Sequence, residues 1–293
     1  MVSMTIAANA VIRSMRGESH SYLLAGDDGN YYVTKFAWRP DGHRRLINEW
    51  VGTQLLSLLG LATPRVCIVE ATAAFLDVHA SKLETTTRES PTLIGPHFGS
   101  QFPGDPLNSV VYDYLPDKIL SRVENLDHFV GTLVFDLWCG KLSRRQAIFT
   151  KTCEKSARRL RAWMVDNGDL FGGAAWSLYS RPAPCVNISP HAYAQMTGME
   201  DVDPWVTKIQ ALEGDVFSSL VAGVPEQWIG SDGPALTKLL QRLNFRRGRV
   251  RNLFLALFRT QRRFFPNWAD KTLTRKRPAK EQSACKALQR TVA

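Results

Sequence analysis

Four short stretches of the 293-residue chain hold residue types suited to handling a polyphosphate. In MRGESHSYLLAGDDGNYYVTKF, a loop with Gly17, Ser19 and Ser21 leads into strand-like sequence that carries Lys35. Small residues let backbone N–H groups approach a phosphate closely, and a lysine anchored on a strand presents a fixed ammonium. Glu49 follows 14 residues later, in sequence of helical periodicity, where a carboxylate could hold that ammonium in place. Taken singly, each is an ordinary solvated charge; the ordered pair is more specific. The third stretch, GKLSRR, puts Lys141, Ser143 and Arg145 in a basic loop between an apolar helix and a strand. The fourth, MVDNG, ends a strand in Asp166. A carboxylate there could hold a divalent cation that bridges phosphates, or simply close an Asp-Asn-Gly turn.

These residues need elements to position them. SYLLAG and NYYVTKFAW read as strands joined by the tight turn DDGN. RRLINEWVGTQLLSLLG reads as a helix, with Leu46, Ile47, Trp50, Val51, Leu55, Leu58 and Leu59 apolar and Gly60 as its stop. ATPRVCIVEAT is a strand opened by Pro64. Residues 78–108 are rich in turn formers and are expected to hold little regular structure, and NSVVYDYLP follows as a strand. A helix is expected from Asn125, as its N-cap, to Cys139, with one face of Leu126, Phe129, Val130, Leu133, Val134 and Leu137. QAIFTK and LRAWMVD read as a hairpin closed by TCEKSARR, and residues 171–190 as irregular chain. DPWVTKIQAL, PALTKLLQRL and RRGRVRNLFLALF are the best later helices. Strands dominate the first third and helices the last, an order that predicts two lobes with a cleft between them.

Together these stretches resemble the HipA-like kinase family, a distant bacterial branch of the protein-kinase fold. The similarity runs through the glycine/serine loop and strand lysine, then through RRLINEWVGTQLLSLLGLATPRVCIV, a glutamate helix followed by a Leu-Gly-Leu-x-x-Pro strand entry. It continues in HFGSQFPGDPLNSVVYDYLPD, VENLDHFVGTLVFDLWCGKLSRRQAIF and WMVDNGDLFGG, and in DPWVTKI, RRGRV and FPNW. The resemblance covers roughly residues 10–268. It implies an α+β, bilobal protein-kinase-like fold: a β-rich N-lobe over 10–116 and a mainly helical C-lobe with the catalytic-loop hairpin over 117–268; the basic tail over 269–293 falls outside the resemblance. It also implies ATP with Mg2+ as cofactors. Gly17, Ser19 and Ser21 would cover the phosphates, Lys35 would contact them, Glu49 would orient Lys35, and Asp166 would ligate the metal. Kinases of this kind phosphorylate serine or threonine of protein targets, and some are growth-arresting toxins paired with an antitoxin.

One part of the family pattern is altered. The catalytic loop of such kinases reads Asn-x-Asp, with the aspartate as base; here those places hold Lys141 and Ser143. An asparagine for a second metal, expected five residues after the base, is Ile148, while Arg145 and Gln146 keep the Arg-Gln-Ala-Ile form of the nearest subfamily. A serine hydroxyl does not accept a proton at neutral pH, and losing a positioned base costs on the order of 10²–10⁴ in rate. Asp113 and Asp169 are the acidic residues considered as substitutes.

The bulk composition narrows the alternatives. The formal charge is +10, but residues 241–293 hold 15 Lys+Arg against two acidic residues, whereas residues 1–240 hold 22 against 25. The body is therefore slightly acidic, and its basic character sits at the C-terminus. Residues 270–293 are polar and basic and are expected to be disordered or loosely attached. Five scattered cysteines form no metal-ligand spacing, no run is apolar enough to span a membrane, and no secretory signal is read, so a cytoplasmic setting is expected. Three functions remain open: a kinase with a protein substrate or antitoxin-like partner, a catalytically inactive pseudokinase or scaffold, and a protein that contacts nucleic acid through its basic C-terminus.

Overall fold

Five strands from the first third of the chain close into a barrel: β1 (Thr5–Ser14), β2 (Tyr22–Gly26), β3 (Tyr31–Lys35), β4 (Val66–Ala71) and β5 (Gly95–Gln101). Their order is β1-β2-β3-β5-β4, with β4 returning parallel to β1 and every other pair antiparallel. This computed structural model describes residues 4–16, 20–37, 42–83, 93–152, 159–178, 186–187 and 189–269. The barrel interior is filled by Ile6, Val11, Tyr22, Leu24, Tyr32, Phe36, Cys67 and Val69. The β2–β3 turn forms where DDGN predicts it: Gly29 takes φ +78, and Asp28 accepts from the Asn30 backbone N–H at 3.0 Å and the Tyr32 hydroxyl at 2.7 Å.

Between β3 and β4 runs α1 (Gly42–Leu58), the element that ties the barrel to the rest. Its Leu46, Ile47, Trp50, Val51, Leu55 and Leu56 join the main core rather than the barrel interior. Gly60, at φ +78, ends it with paired bonds from Gly60 N to Ser57 O and from Leu61 N to Leu56 O. A short helix, α2 (Ala73–His79), follows β4 and is capped by the Thr72 hydroxyl at the Phe75 N–H.

The later chain is mainly helical around a three-stranded antiparallel sheet of β6 (Val111–Tyr112), β7 (Gln146–Lys151) and β8 (Leu160–Val165). The helices are α3 (Asp117–Leu120), α4 (His128–Cys139), α5 (Asp203–Gln210), α6 (Val216–Val221), α7 (Glu226–Ile229), α8 (Gly233–Arg246) and α9 (Val250–Gln261). Every residue of α4 from Phe129 to Cys139 is buried, so α4 is the axis of this core rather than a one-faced surface helix. Trp138 donates from α4 to Leu243 O at 3.0 Å, and Trp228 donates from α7 to Pro96 O at 2.7 Å, which fastens the helical part to the barrel. The architecture is therefore α+β, β-rich in its N-terminal region and helical in its C-terminal part.

Several elements differ from the sequence expectation. Residues 78–108 contain β5, a strand paired on both sides. Its GPHFGSQ sequence hides it, because Gly99 is there for close packing: a Cβ would lie 2.5 Å from Val69 Cγ2 and 2.9 Å from Cys67 Sγ. In NSVVYDYLP only Val111 and Tyr112 pair. Asn125 is not the cap of α4, whose helix begins three residues later; its amide instead pairs with Ala162 in both directions, at 3.0 and 2.9 Å. β1 and the short helices α2, α3, α6 and α7 carry too little periodicity to be read from sequence. The expectation for residues 270–293 lies outside the described residues.

Candidate functional site

Lys35, the last residue of β3, meets Glu49, which the sequence assigns to it, and also pairs directly with Asp166, which the sequence assigns to a metal ion. Its Nζ lies 2.5 Å from Glu49 Oε1 on α1 and 2.9 Å from Asp166 Oδ1 beyond β8. The three side chains come from a barrel strand, a bridging helix and the end of a hairpin, so the contact joins the two halves of the molecule. Glu49 is 2% exposed, and its two oxygens also accept the backbone N–H groups of Asn167 and Gly168 at 2.9 and 2.8 Å. A single carboxylate thus fixes the lysine and the segment after Asp166. Burial by itself pulls the Lys35 ammonium toward its neutral form, but Glu49 and Asp166 outweigh it and raise its pKa. Burial likewise pushes Asp166 toward its neutral form, and Lys35, Lys141 and Arg145 overcome it, holding the carboxyl well below the usual range.

Asp166 takes a left-handed backbone, φ +65, which a non-glycine residue adopts only where its surroundings impose it. Those surroundings lie beneath it. Lys141 Nζ donates to the Asp166 carbonyl at 2.7 Å. Arg145 donates to the carbonyls of Val165 at 2.9 Å and Asp166 at 3.3 Å, and to Asn167 Oδ1 at 2.6 Å. The Arg145 guanidinium is itself clasped by Asp136 of α4, Nε to Oδ2 at 3.1 Å and Nη2 to Oδ1. Asn167 Nδ2 completes the set with Thr53 Oγ1 at 2.8 Å. Gly52 lets α1 approach this closely: a Cβ there would sit 3.0 Å from Asn167 Cβ and 2.3 Å from Leu170 Cδ1.

The structure brings Lys35, Glu49 and Asp166 together. It gives Lys141 and Arg145 a different place from the open basic loop expected of GKLSRR: both are buried, at 1% and 7% exposure, with their cationic groups turned inward under Asp166. Arg145 is therefore a positioning residue. Ser143 is half-buried, and its Oγ is enclosed without a hydrogen-bond partner among the described residues. Ser21 is buried immediately before β2, its carbonyl accepting Met15 N–H at 2.8 Å. Gly17 and Ser19 lie outside the described residues. Of the two substitute carboxylates considered, Asp113 is exposed. Asp169 pairs with Arg45 at 2.5 Å, while its carbonyl accepts the Leu142 N–H at 3.1 Å.

Sequence reading missed Asp136 and Asn48. An aspartate inside the apolar run VFDLW is the signal that could have found Asp136, since a charge in a wholly buried helix needs a buried partner. Asn48, next to Glu49 and fully buried, donates from Nδ2 to the carbonyls of Gly168, Leu170 and Gly173 at 2.9, 3.0 and 3.3 Å and accepts from Trp176 Nε1 at 2.8 Å. The turns after Asp166 are thus shaped by the helix that carries Glu49. The Asp166 carboxylate, the Lys35 ammonium and a fixed backbone form a set that can grip an anion and a cation bound to it.

A five-stranded barrel, a bridging helix glutamate paired to a strand lysine, and an aspartate after a hairpin belong to a kinase-like fold. The resemblance to the HipA-like kinase family holds over residues 8–147, which match that family's model; the match ends in β7, before Asp166. No curated protein matches the chain in sequence. Among solved structures, the Helicobacter pylori proinflammatory kinase CtkA is similar in fold, with a TM-score of 0.50 and 11% identity over 84% of this chain and 98% of that one. A Golgi casein kinase with Mn/ADP bound gives a TM-score of 0.44 at 11% identity, over 89% of this chain and 74% of that one.

Proposed function

We propose that the chain binds ATP with a divalent cation, Mg2+, in the cleft between the barrel and the helical part, and passes phosphoryl groups to serine or threonine of a protein. The observation that carries this reading is the Glu49–Lys35–Asp166 chain of contacts, at 2.5 and 2.9 Å, linking three separate elements. Lys35 would hold phosphate oxygens and Asp166 would ligate the cation. The residues fit such an ion: Mg2+ is commonly held by one or two carboxylates and completed by phosphates and water. Phosphoryl transfer rests mainly on positioning and charge neutralisation, which these residues supply. Its rate would be lowered by roughly 10²–10⁴, because Ser143 stands where a carboxylate base is expected.

Calorimetric titration of the full chain with ATP, with and without Mg2+, tests the binding. Lys35→Ala is expected to weaken ATP by at least about tenfold, and Asp166→Ala to remove the part of the affinity that Mg2+ adds. Equal affinity in wild type and Lys35→Ala would sink the reading. A second reading, a nucleotide-binding scaffold without turnover, is favoured by the enclosed, unpartnered Ser143 Oγ. ATP binding with no phosphate release or protein labelling above the Asp166→Ala control decides for it.

A further inference from the structure

Resting on the nucleotide reading above, we propose that Lys141 takes the place of a second metal ion, so that the cleft accepts a nucleoside triphosphate with one divalent cation and still binds it with none. Three observations meet in this inference.

The first is a shortage of ligands. Among the described residues no group of three or more His, Cys, Asp or Glu side chains could hold a metal. Asn167, adjacent to Asp166, has both ends of its amide engaged, with Arg145 and Thr53. Ile148 brings only an aliphatic side chain to β7. Asp166 is left to hold a single ion.

The second is the placement of Lys141. Its ammonium is buried and donates to the Asp166 carbonyl at 2.7 Å, so a positive charge stands within one residue of the carboxylate that pairs with Lys35 from the end of the hairpin. A second-site cation neutralises phosphate charge from the same side of the cleft. An ammonium in low-dielectric surroundings supplies part of that field without ligands of its own; burial and Arg145 lower its pKa, and Asp166, Asp136 and Glu49 oppose them.

The third is the charge balance of the network. Lys35, Lys141 and Arg145 face Glu49, Asp136 and Asp166, and the cations match the anions. With an aspartate at 143 and a neutral residue at 141, the same network would be two charges more negative. A net-negative cleft repels a triphosphate until metal ions compensate it; a balanced one does not. The loss of the base and the gain of the lysine act in the same direction.

The test is calorimetric titration of the full chain with ATP, once with Mg2+ and once with EDTA. The wild type is expected to lose no more than about tenfold in affinity on chelation. Lys141→Met keeps the length of the side chain and removes the charge. It should cost at least about tenfold in EDTA, and cost more there than in Mg2+. Ser143→Asp adds a negative charge on a half-buried loop residue without touching Lys141, and should lower metal-free affinity in the same way even if Lys141→Met melts early. A wild-type loss above about tenfold on chelation overturns the proposal and leaves the nucleotide reading standing. So does metal-free affinity unchanged in Ser143→Asp and in a folded Lys141→Met. Binding of ATP by the wild type in neither condition overturns both.

Discussion

Asp136 and Arg145 face each other in the interior, where an ion pair contributes little net stability as a pair but leaves a bare charge when one member is removed. Asp136→Ala strands the Arg145 guanidinium and loosens the carbonyls of Val165 and Asp166 that it holds. The expected cost is about 3–5 kcal/mol of folding stability, read from urea unfolding. Replacing both, as Asp136→Leu with Arg145→Met, should cost clearly less than the single change. If the single and double variants unfold alike, Arg145 is not anchored by Asp136. The contrast between these residues and Lys35, Glu49 and Asp166 shows what a chain reveals at this scale. The triad sits in segments whose local pattern announces a strand, a helix and a hairpin end, so type and order suffice. The inward turn of Lys141 and Arg145 depends on an aspartate in α4 and a carbonyl beyond β8, and no local pattern in GKLSRR encodes that meeting.

At the scale of elements, β5 carries a test of its own. His97 lies within it, 2% exposed, with Nε2 at 2.9 Å from Leu93 O and its ring 4.3 Å from that of Phe36. Burial lowers its pKa to about 4, with the Leu93 carbonyl opposing and His43 assisting. The unfolded chain takes up the proton near pH 6.5 and the folded one only near 4, so the unfolded state binds more protons in that window. Stability is full above about pH 6.5 and falls as the pH drops toward 4, by roughly 3 kcal/mol in all. His43, also lowered by burial, adds a change of the same sign. Urea midpoints for wild type and His97→Gln at pH 7.5, 6 and 5 check this: the wild type should lose stability more steeply. Parallel curves would mean that His97 is not held neutral. The same strand explains why the elements were only partly legible. β2, β3, β7, β8 and α1 show clear alternation or periodicity and were read. β5 satisfies the barrel with a proline and two glycines, because Gly99 answers a packing need set by β4 across the sheet.

The molecule as a whole separates its charges. The slightly acidic body carries the Lys35–Asp166 pair, while residues 233–269 hold nine Lys+Arg and no acidic residue. On α8 the ring of Phe245 is 85% exposed, and the neighbouring Arg242 and Arg249 are exposed as well. Beyond them, residues 270–293 add seven Lys+Arg against two acidic residues. Such a region attracts polyanions through phosphate contacts whose strength falls with salt. We propose that this end of the chain gives the protein a weak, salt-sensitive contact with nucleic acid, separate from the nucleotide cleft. Truncation after Ala269 is expected to weaken binding of a fluorescent single-stranded oligonucleotide at least about tenfold at low salt, with a shallower dependence of log K on log salt. ATP affinity should be unchanged, since Lys35, Glu49 and Asp166 all lie in the retained body. Undiminished oligonucleotide binding in the truncated chain would clear the tail and move the contact to the end of α8 and the turn after it, where Phe245→Ala and Arg249→Glu would then have to abolish it. Absence of oligonucleotide binding by the full chain at low salt would leave the basic end as a solvated extension and end the proposal.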